Sequence, residues 1–224
     1  MKRSQINNWL LWAKKRLQEA HISLPDFAGY TPGDWQGKDI NTIKATMLGW
    51  DITDFGSGEF EKLGAVLITL RNGQQRENGL GTPYAEKLIL IPDGGRLPIH
   101  FHYTKTEDII NRGGGTLWVK LFNAREDDSL DEENDVQVFC DGLKKTVKAG
   151  EIIEISRGNS ITLTPRVYHT FGAKDGDLIA GEVSSINDDN IDNKFAEEGQ
   201  RFTEIEEDAH PIHLLCNEYE KMLK

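Results

Sequence analysis

The chain is poor in cysteine. Cys140 and Cys216 are the two in 224 residues, too few for a disulfide framework, so a reducing, cytoplasmic setting is expected. Each reads as a small buried hydrophobe. Positive charge is also short: 26 Lys and Arg stand against 37 Asp and Glu, a formal net charge of −11. That balance argues against a nucleic-acid partner, whose backbone needs a basic face. No apolar run approaches the ~20 residues that span a bilayer, so no membrane partner is expected. The opening MKRSQINNWLLWAKKRLQEA does not read as a signal peptide, because its apolar run is short and interrupted by cations. No internal repeat is visible, and at this length one domain with terminal appendages fits better than two equal ones.

What the chain does have is a stretch from Gly94 to Gly114, GGRLPIHFHYTKTEDIINRGG. Side chains two apart on a β-strand share a face. His100 and His102 can therefore point together into an interior while Phe101 packs the other way. Glu107 lies an odd step beyond His102, so a bulge or turn at 103–106 is needed to bring it back. Two imidazoles and a carboxylate make a mixed nitrogen and oxygen site, suited to Mn, Fe, Co, Ni or Zn. Lys105 lies in the same turn, as a surface cation or one near the metal mouth.

The rest divides into three parts. Residues 1–62 read as a helical and loop extension. Within it Ile6, Trp9, Leu10, Ala13, Leu17 and Ala20 follow helical spacing over 4–20, with Ser4 as N-cap, and 39–48 reads as a short helix. Trp35 and Trp50 fall in this extension, as packing groups or as covers over a sugar-sized pocket. Residues 63–186 read as a barrel core of many short strands divided by Asn-Gly and Asp-Gly turn signals, which indicates a mainly β sandwich or barrel. The run 127–135 reads as a solvated acidic loop. Arg112-Gly113-Gly114-Gly115 follows a strand without opening a helix, so it reads as a tight glycine turn and not a phosphate cradle. Residues 187–224 read as a polar tail with a C-terminal helix over 212–223.

The central stretch resembles the first cupin signature. Gly94, His100, His102, Glu107 and Gly114 fit each of its intervals. Thr164-Pro165-Arg166-Val167-Tyr168-His169 resembles the second signature, with Val167 where glycine is usual and His169 one residue early. More widely, YAEKLILIP, the run from His100 to Gly115, LIAGEVSSINDDN and LLCNEYEKML together resemble the D-lyxose isomerases. That resemblance implies a cupin β-barrel of jelly-roll type with N-terminal and C-terminal helices. It also implies metal held by His100, His102, Glu107 and His169, usually manganese, with Co²⁺ another candidate. The implied reaction interconverts an aldose and its ketose: D-lyxose with D-xylulose, D-mannose with D-fructose.

Such isomerisation needs a base for a carbon-bound proton and a group near the sugar oxygens. By alternation Glu182 shares a face with Leu178, Ala180 and Ser184, and a carboxylate there is costly unless paired or exposed. Glu182 is a candidate base or sugar ligand, Glu204 an alternative base, and Lys105 a hydroxyl-binding or proton-passing cation. Asp188, Asp189, Arg201 and Trp35 are candidate sugar contacts. The few cations near the motifs favour a neutral free sugar over a sugar phosphate. Cupins pair through their sheets, so a homodimer is expected by analogy. A cupin dioxygenase using Fe(II) and a non-catalytic sugar-binding cupin are the rival readings.

Overall fold

The computed structural model describes residues 1–75, 79–188, 191–197 and 201–222. A long helix α1 (Arg3–Glu19) is followed by two short 3-10 turns and by α2 (Asn41–Ala45). Strands come next: β1 (Gly49–Thr53), β2 (Ala65–Gly73), β3 (Gly81–Ile91), β4 (His100–His102), β5 (Glu107–Ala124), β6 (Leu130–Asp131) and β7 (Val136–Cys140). The remainder are β8 (Leu143–Val147), β9 (Ile152–Ile155), β10 (Ser160–Leu163), β11 (Val167–Ser185) and β12 (Asn193–Phe195), before a terminal turn of helix α3 (Tyr219–Met222).

Every pairing among these strands is antiparallel, in the order β1-β2-β3-β11-β5-β10-β7-β8, with β12 on β4, β4 on β11, and β6 and β9 on β5. Strands β5 and β11 run side by side and belong to two walls. Their halves at Glu107–Gly114 and Leu178–Ser184 join β3 and β10, while the halves at Thr116–Asn123 and Val167–Lys174 join β9 and β4. Both strands change register at the same place, between Lys174 and Leu178 opposite Thr116 and Gly114. Gly114 has φ +80° and Gly176 φ +132°. A side chain at Gly114 or Gly115 would run into the backbone carbonyls of Asp177 or Gly176. The glycine-rich stretch, read from sequence as a tight glycine turn, is a bend inside one continuous strand.

The space between the walls is filled from both sides. Leu67, Ile89 and Ala180 from one wall meet Leu117, Val119, Leu121, Ile155 and Phe171 from the other. On the outer face of the first wall, Ile6, Leu10, Ala13 and Leu17 of α1 pack on Trp50, Ile52, Val66, Ile68, Leu88 and Leu90. Burying Ile6, Leu10 and Leu17 contributes about 5–9 kcal/mol as an upper estimate, before ordering entropy is charged against it.

Three local expectations shift. The helix begins at Arg3 with Lys2 as its cap, and the Ser4 hydroxyl instead donates to Asp208 Oδ2 at 2.7 Å. Strand β1 lies inside the stretch read as helix and loop. Among the described residues, the expected helix over 212–223 is helical only at Tyr219–Met222. Its first part runs extended along β1, with Cys216 N–H donating to the Trp50 carbonyl at 2.7 Å and Leu215 bridged to Trp50. The edge of β1 gives those residues backbone partners that a helix would otherwise supply.

Candidate active site

Strand β4 carries His100 and His102, β11 carries His169, and the two strands meet at the pair His169–His100. One ligand nitrogen from each imidazole can be chosen so that all lie within 4.8 Å of one another. Residues 103–106 form the turn that the odd spacing requires, and Glu107 opens β5 buried on the face it shares with Ile109 and Leu117. Glu107 Oε1 lies 3.4 Å from His102 Nε2 and 3.1 Å from His169 Nε2.

The imidazoles are set for metal binding. His100 Nδ1 faces the Pro98 carbonyl at 2.9 Å, and His169 Nδ1 faces the Val167 carbonyl at 3.0 Å. A carbonyl can only accept, so each Nδ1 carries the proton and each Nε2 is left with a lone pair. His102 Nδ1, His102 Nε2 and His169 Nε2 are buried with no properly aligned hydrogen-bond partner. Buried polar atoms are normally bonded, and a divalent cation among three imidazoles and a carboxylate answers this deficit. The donor set fits manganese, cobalt, iron or zinc. Burial pushes His100 well below the ordinary imidazole range, with His169 and His102 adding to it. Burial also lowers His102, helped by Lys105. For Glu107 burial works upward, but Lys105 and then His102 outweigh it and hold the carboxyl well below its usual value. His100 and His102 are thus held neutral and Glu107 ionised, the ligating forms.

Beyond the metal cluster lies a row of buried charges. Lys105 Nζ sits 2.6 Å from Glu107 Oε2, 3.0 Å from Glu182 Oε1 and 3.2 Å from Asn187 Oδ1. Lys87 of β3, paired across the sheet with Glu182, places its Nζ 3.6 Å from the same Oε1. Ser184 Oγ donates to that oxygen at 3.3 Å. These contacts all converge on Oε1. The turn holding Lys105 is fixed by Asp192, whose carboxylate accepts from Thr104 N–H, Thr104 Oγ1 and Lys105 N–H at 2.9, 2.9 and 3.1 Å.

A cavity of about 50 Å³ joins His100, His102, Glu107, Lys105, Glu182 and Lys87. It has room for a few waters. Leu67, Ile89, Leu97 and Phe171 form its apolar wall, and Phe55, Asn193, Phe195 and Arg201 complete the lining. Strand β12 lies along β4, with the Phe195 ring 5.7 Å from that of His100. Arg201 is tied to buried Asp51 at 2.8 Å.

Of the residues singled out from sequence, His100, His102, Glu107, His169, Lys105, Glu182 and Arg201 come together here. Others do not. Trp35 is buried between Tyr30 and Tyr219 in a separate cluster, at 5.1 Å from each ring. It is a packing group there. Glu204 is exposed beside the start of α1, where it lines a surface groove with Lys2, Trp9 and Phe60. The tail at 204 runs along the N-terminal segment, with the Met1 amino group donating to the Glu204 carbonyl at 2.7 Å, so Glu204 does not reach the cavity expected of it. Asp188 points to a different cavity, lined by Asn72 and Asn187, and its carbonyl accepts from Asp192 N–H at 3.1 Å. Asp189 lies outside the described residues. Lys87, Asn187, Asp192 and Phe195 were not anticipated. Lys87 had a signal: it alternates with Ala85, Ile89 and Ile91, and a cation on the apolar face of a strand is as unusual as Glu182.

The D-lyxose isomerase family model matches residues 1–219. A D-lyxose/D-mannose isomerase of Serratia proteamaculans is 42% identical, over 98% of each chain. One of Escherichia coli O157:H7 is 41% identical over the same shares. The L-ribose isomerase of Cellulomonas parahominis, solved without ligand, matches 92% of this chain and 98% of its own with a TM-score of 0.59 at 16% identity. That of Geodermatophilus obscurus gives 0.56 at 17% identity, again over 92% and 98%. These two share the mainly β antiparallel fold. With the family model spanning nearly the whole chain and relatives above 40% identity, this chain belongs to the D-lyxose isomerase family.

Proposed function

We propose that the protein is a metal-dependent aldose–ketose isomerase that converts D-lyxose to D-xylulose and D-mannose to D-fructose through a cis-enediol. The observation that carries this is the buried Glu182 lining one cavity with His100, His102 and Glu107, beside the cluster that His169 completes. His100, His102, Glu107 and His169 would hold the ion, with manganese the proposed occupant. Such an ion supplies Lewis acidity toward the sugar oxygens at C1 and C2.

The remaining work falls to the chain. Glu182 takes the carbon-bound proton and returns it to the neighbouring carbon. Lys105, held between Glu107 and Glu182, donates toward the sugar oxygen that gains or loses charge. Lys87 places its ammonium 3.6 Å from Glu182 Oε1 and balances the charge of that carboxylate. The cavity's cations stand against carboxylates: Lys105 with Glu107 and Glu182, Arg201 with Asp51, Lys87 with Glu182. That balance suits an uncharged sugar. A pentose is bulkier than a few waters, so its entry displaces the Phe195 ring and β12. The protein is proposed to work in the cytoplasm as a homodimer, on the strength of its composition and of the cupin analogy.

The test is product analysis by chromatography. Metal-stripped protein is incubated with D-lyxose without oxygen, with and without Mn²⁺. D-xylulose should form only with metal. Glu182→Gln should lose at least about 10²-fold in kcat while still binding metal, the scale of a lost general base. No ketose from either sugar with metal bound would sink the isomerase reading, and substrate-dependent oxygen uptake would favour the dioxygenase. Full turnover by Glu182→Gln would remove Glu182 from its role.

A further inference from the structure

The side of β4 and β11 that faces away from the metal cluster carries a bonded group that the isomerase reading leaves unused. Thr164–Val167 is a tight turn leading into His169, closed by Val167 N–H donating to the Thr164 carbonyl at 3.3 Å. Arg166 in it has φ +64°, a conformation glycine takes freely and other residues take at a cost. Its backbone N–H donates to the His102 carbonyl at 2.9 Å, tying the turn before one ligand to the strand of another.

The arginine side chain has a use that glycine could not supply. Its Nη1 is 2.8 Å from Asp128 Oδ1, its Nη2 donates to the Arg125 carbonyl at 2.6 Å, and its guanidinium lies over the Phe101 ring at 5.3 Å. Asp128 also has positive φ, at +65°. Its second oxygen accepts from Tyr103 Oη at 2.9 Å, and its carbonyl accepts from Tyr168 Oη at 2.8 Å. Phe101 lies between His100 and His102, Tyr103 follows His102, and Tyr168 precedes His169. By alternation each faces away from the ligands. Asp128 therefore fastens the outward side chains of both ligand strands to one point.

We propose that Arg166 and Asp128, with Tyr103 and Tyr168, form an outer clamp that sets the separation of His102 and His169 and so tunes the affinity for the divalent ion. The inference rests on the metal-site reading above. Arg166 and Asp128 are positioning residues: neither lines the cavity.

Arg166→Gly is the informative variant, since glycine takes the same positive φ freely while the whole side chain, guanidinium included, is removed. Asp128→Asn keeps the shape and removes the charge. The readout is the Mn²⁺ Kd, from the electron spin resonance of free Mn²⁺, alongside the Tm of the metal-free protein. Partners behind metal ligands typically matter by 10–100-fold in affinity. Each variant should weaken Mn²⁺ binding about tenfold. The double variant should be little worse than either single, because one clamp is broken once. Asp128→Glu should recover part of the loss, and kcat at saturating Mn²⁺ should stay within about twofold. Wild-type binding with Kd unchanged within about twofold in both variants, or with fully additive losses, would overturn the clamp alone. A fall in Tm without a change in Kd would overturn it too, as a merely structural role. Failure of the wild type to bind Mn²⁺ would sink the metal-site reading itself, and the clamp with it.

Discussion

Replacing Lys105 by methionine tests the logic of the buried charge row. The lysine is 3% exposed, and the Glu107 and Glu182 side chains it joins are 2% and 5% exposed. Methionine fills similar space and brings no charge. In the metal-free protein both carboxylates would then lose their nearest cation. Glu107 would face only imidazoles, which burial keeps neutral at His100 and His102. Glu182 would keep Lys87 at 3.6 Å. Breaking a buried pair by removing one partner costs about 3–5 kcal/mol. At roughly 2–4 °C per kcal/mol for a chain of this size, Tm should fall by about 6–20 °C. Bound Mn²⁺ would return a cation to Glu107, so the loss should shrink to about half when metal is present. The assay is scanning calorimetry of wild type and Lys105→Met, each stripped and each loaded. A drop below about 2 °C in the stripped protein would show that the row does not carry this charge compensation. A drop that Mn²⁺ leaves unchanged would show that the ion does not reach Glu107.

Two further outcomes follow from groups away from the site. Arg3 is fully buried and bonded to Glu218 and to Glu207, so Arg3→Met should cost about 3–5 kcal/mol and lower Tm by about 6–20 °C while leaving kcat unchanged; equal urea midpoints would refute it. His213 is held below the ordinary imidazole range by burial, with the Tyr30 carbonyl working upward and Lys14 downward. The unfolded chain then binds this proton more readily, so His213 contributes stability above about pH 6.5 that is lost as pH falls toward its folded value. His213→Gln should flatten the decline of Tm between about pH 7 and 5, and superimposable pH profiles would show that the group carries none of it.

The parts legible in sequence were those governed by short-range geometry. Alternation put His100 and His102 on one face, demanded the turn before Glu107, and placed Glu182 among small residues. The long-range parts were not legible. Nothing in INDDNIDN marks Asp192 as the residue that fixes Thr104 and Lys105, because that contact depends on the path of the tail. The same ignorance placed Glu204 near the mouth when its segment runs along α1. Trp35 could be packing or cover, and only the position of Tyr219 from the far end of the chain decides for packing. The glycine signals at Gly113–Gly115 and Asp175–Gly176 were real, but glycine marks a sharp bend as well as a reversal. Only the register between β5 and β11 reveals that the two bends coincide.

That register also bears on how the protein comes to hold its ion. The two histidines of β4 exist as a local pair in any short fragment, while His169 arrives on β11, far downstream. It reaches them only when β11 has zipped along the length of β5, a slow non-local step. An ion met early finds the His100 and His102 imidazoles and the Glu107 carboxylate, without the third imidazole. Full affinity appears with the last large pairing of the sheet, so metal should scarcely hasten folding and should mainly slow unfolding. The ion is thus a seal on the finished barrel and not a seed for it.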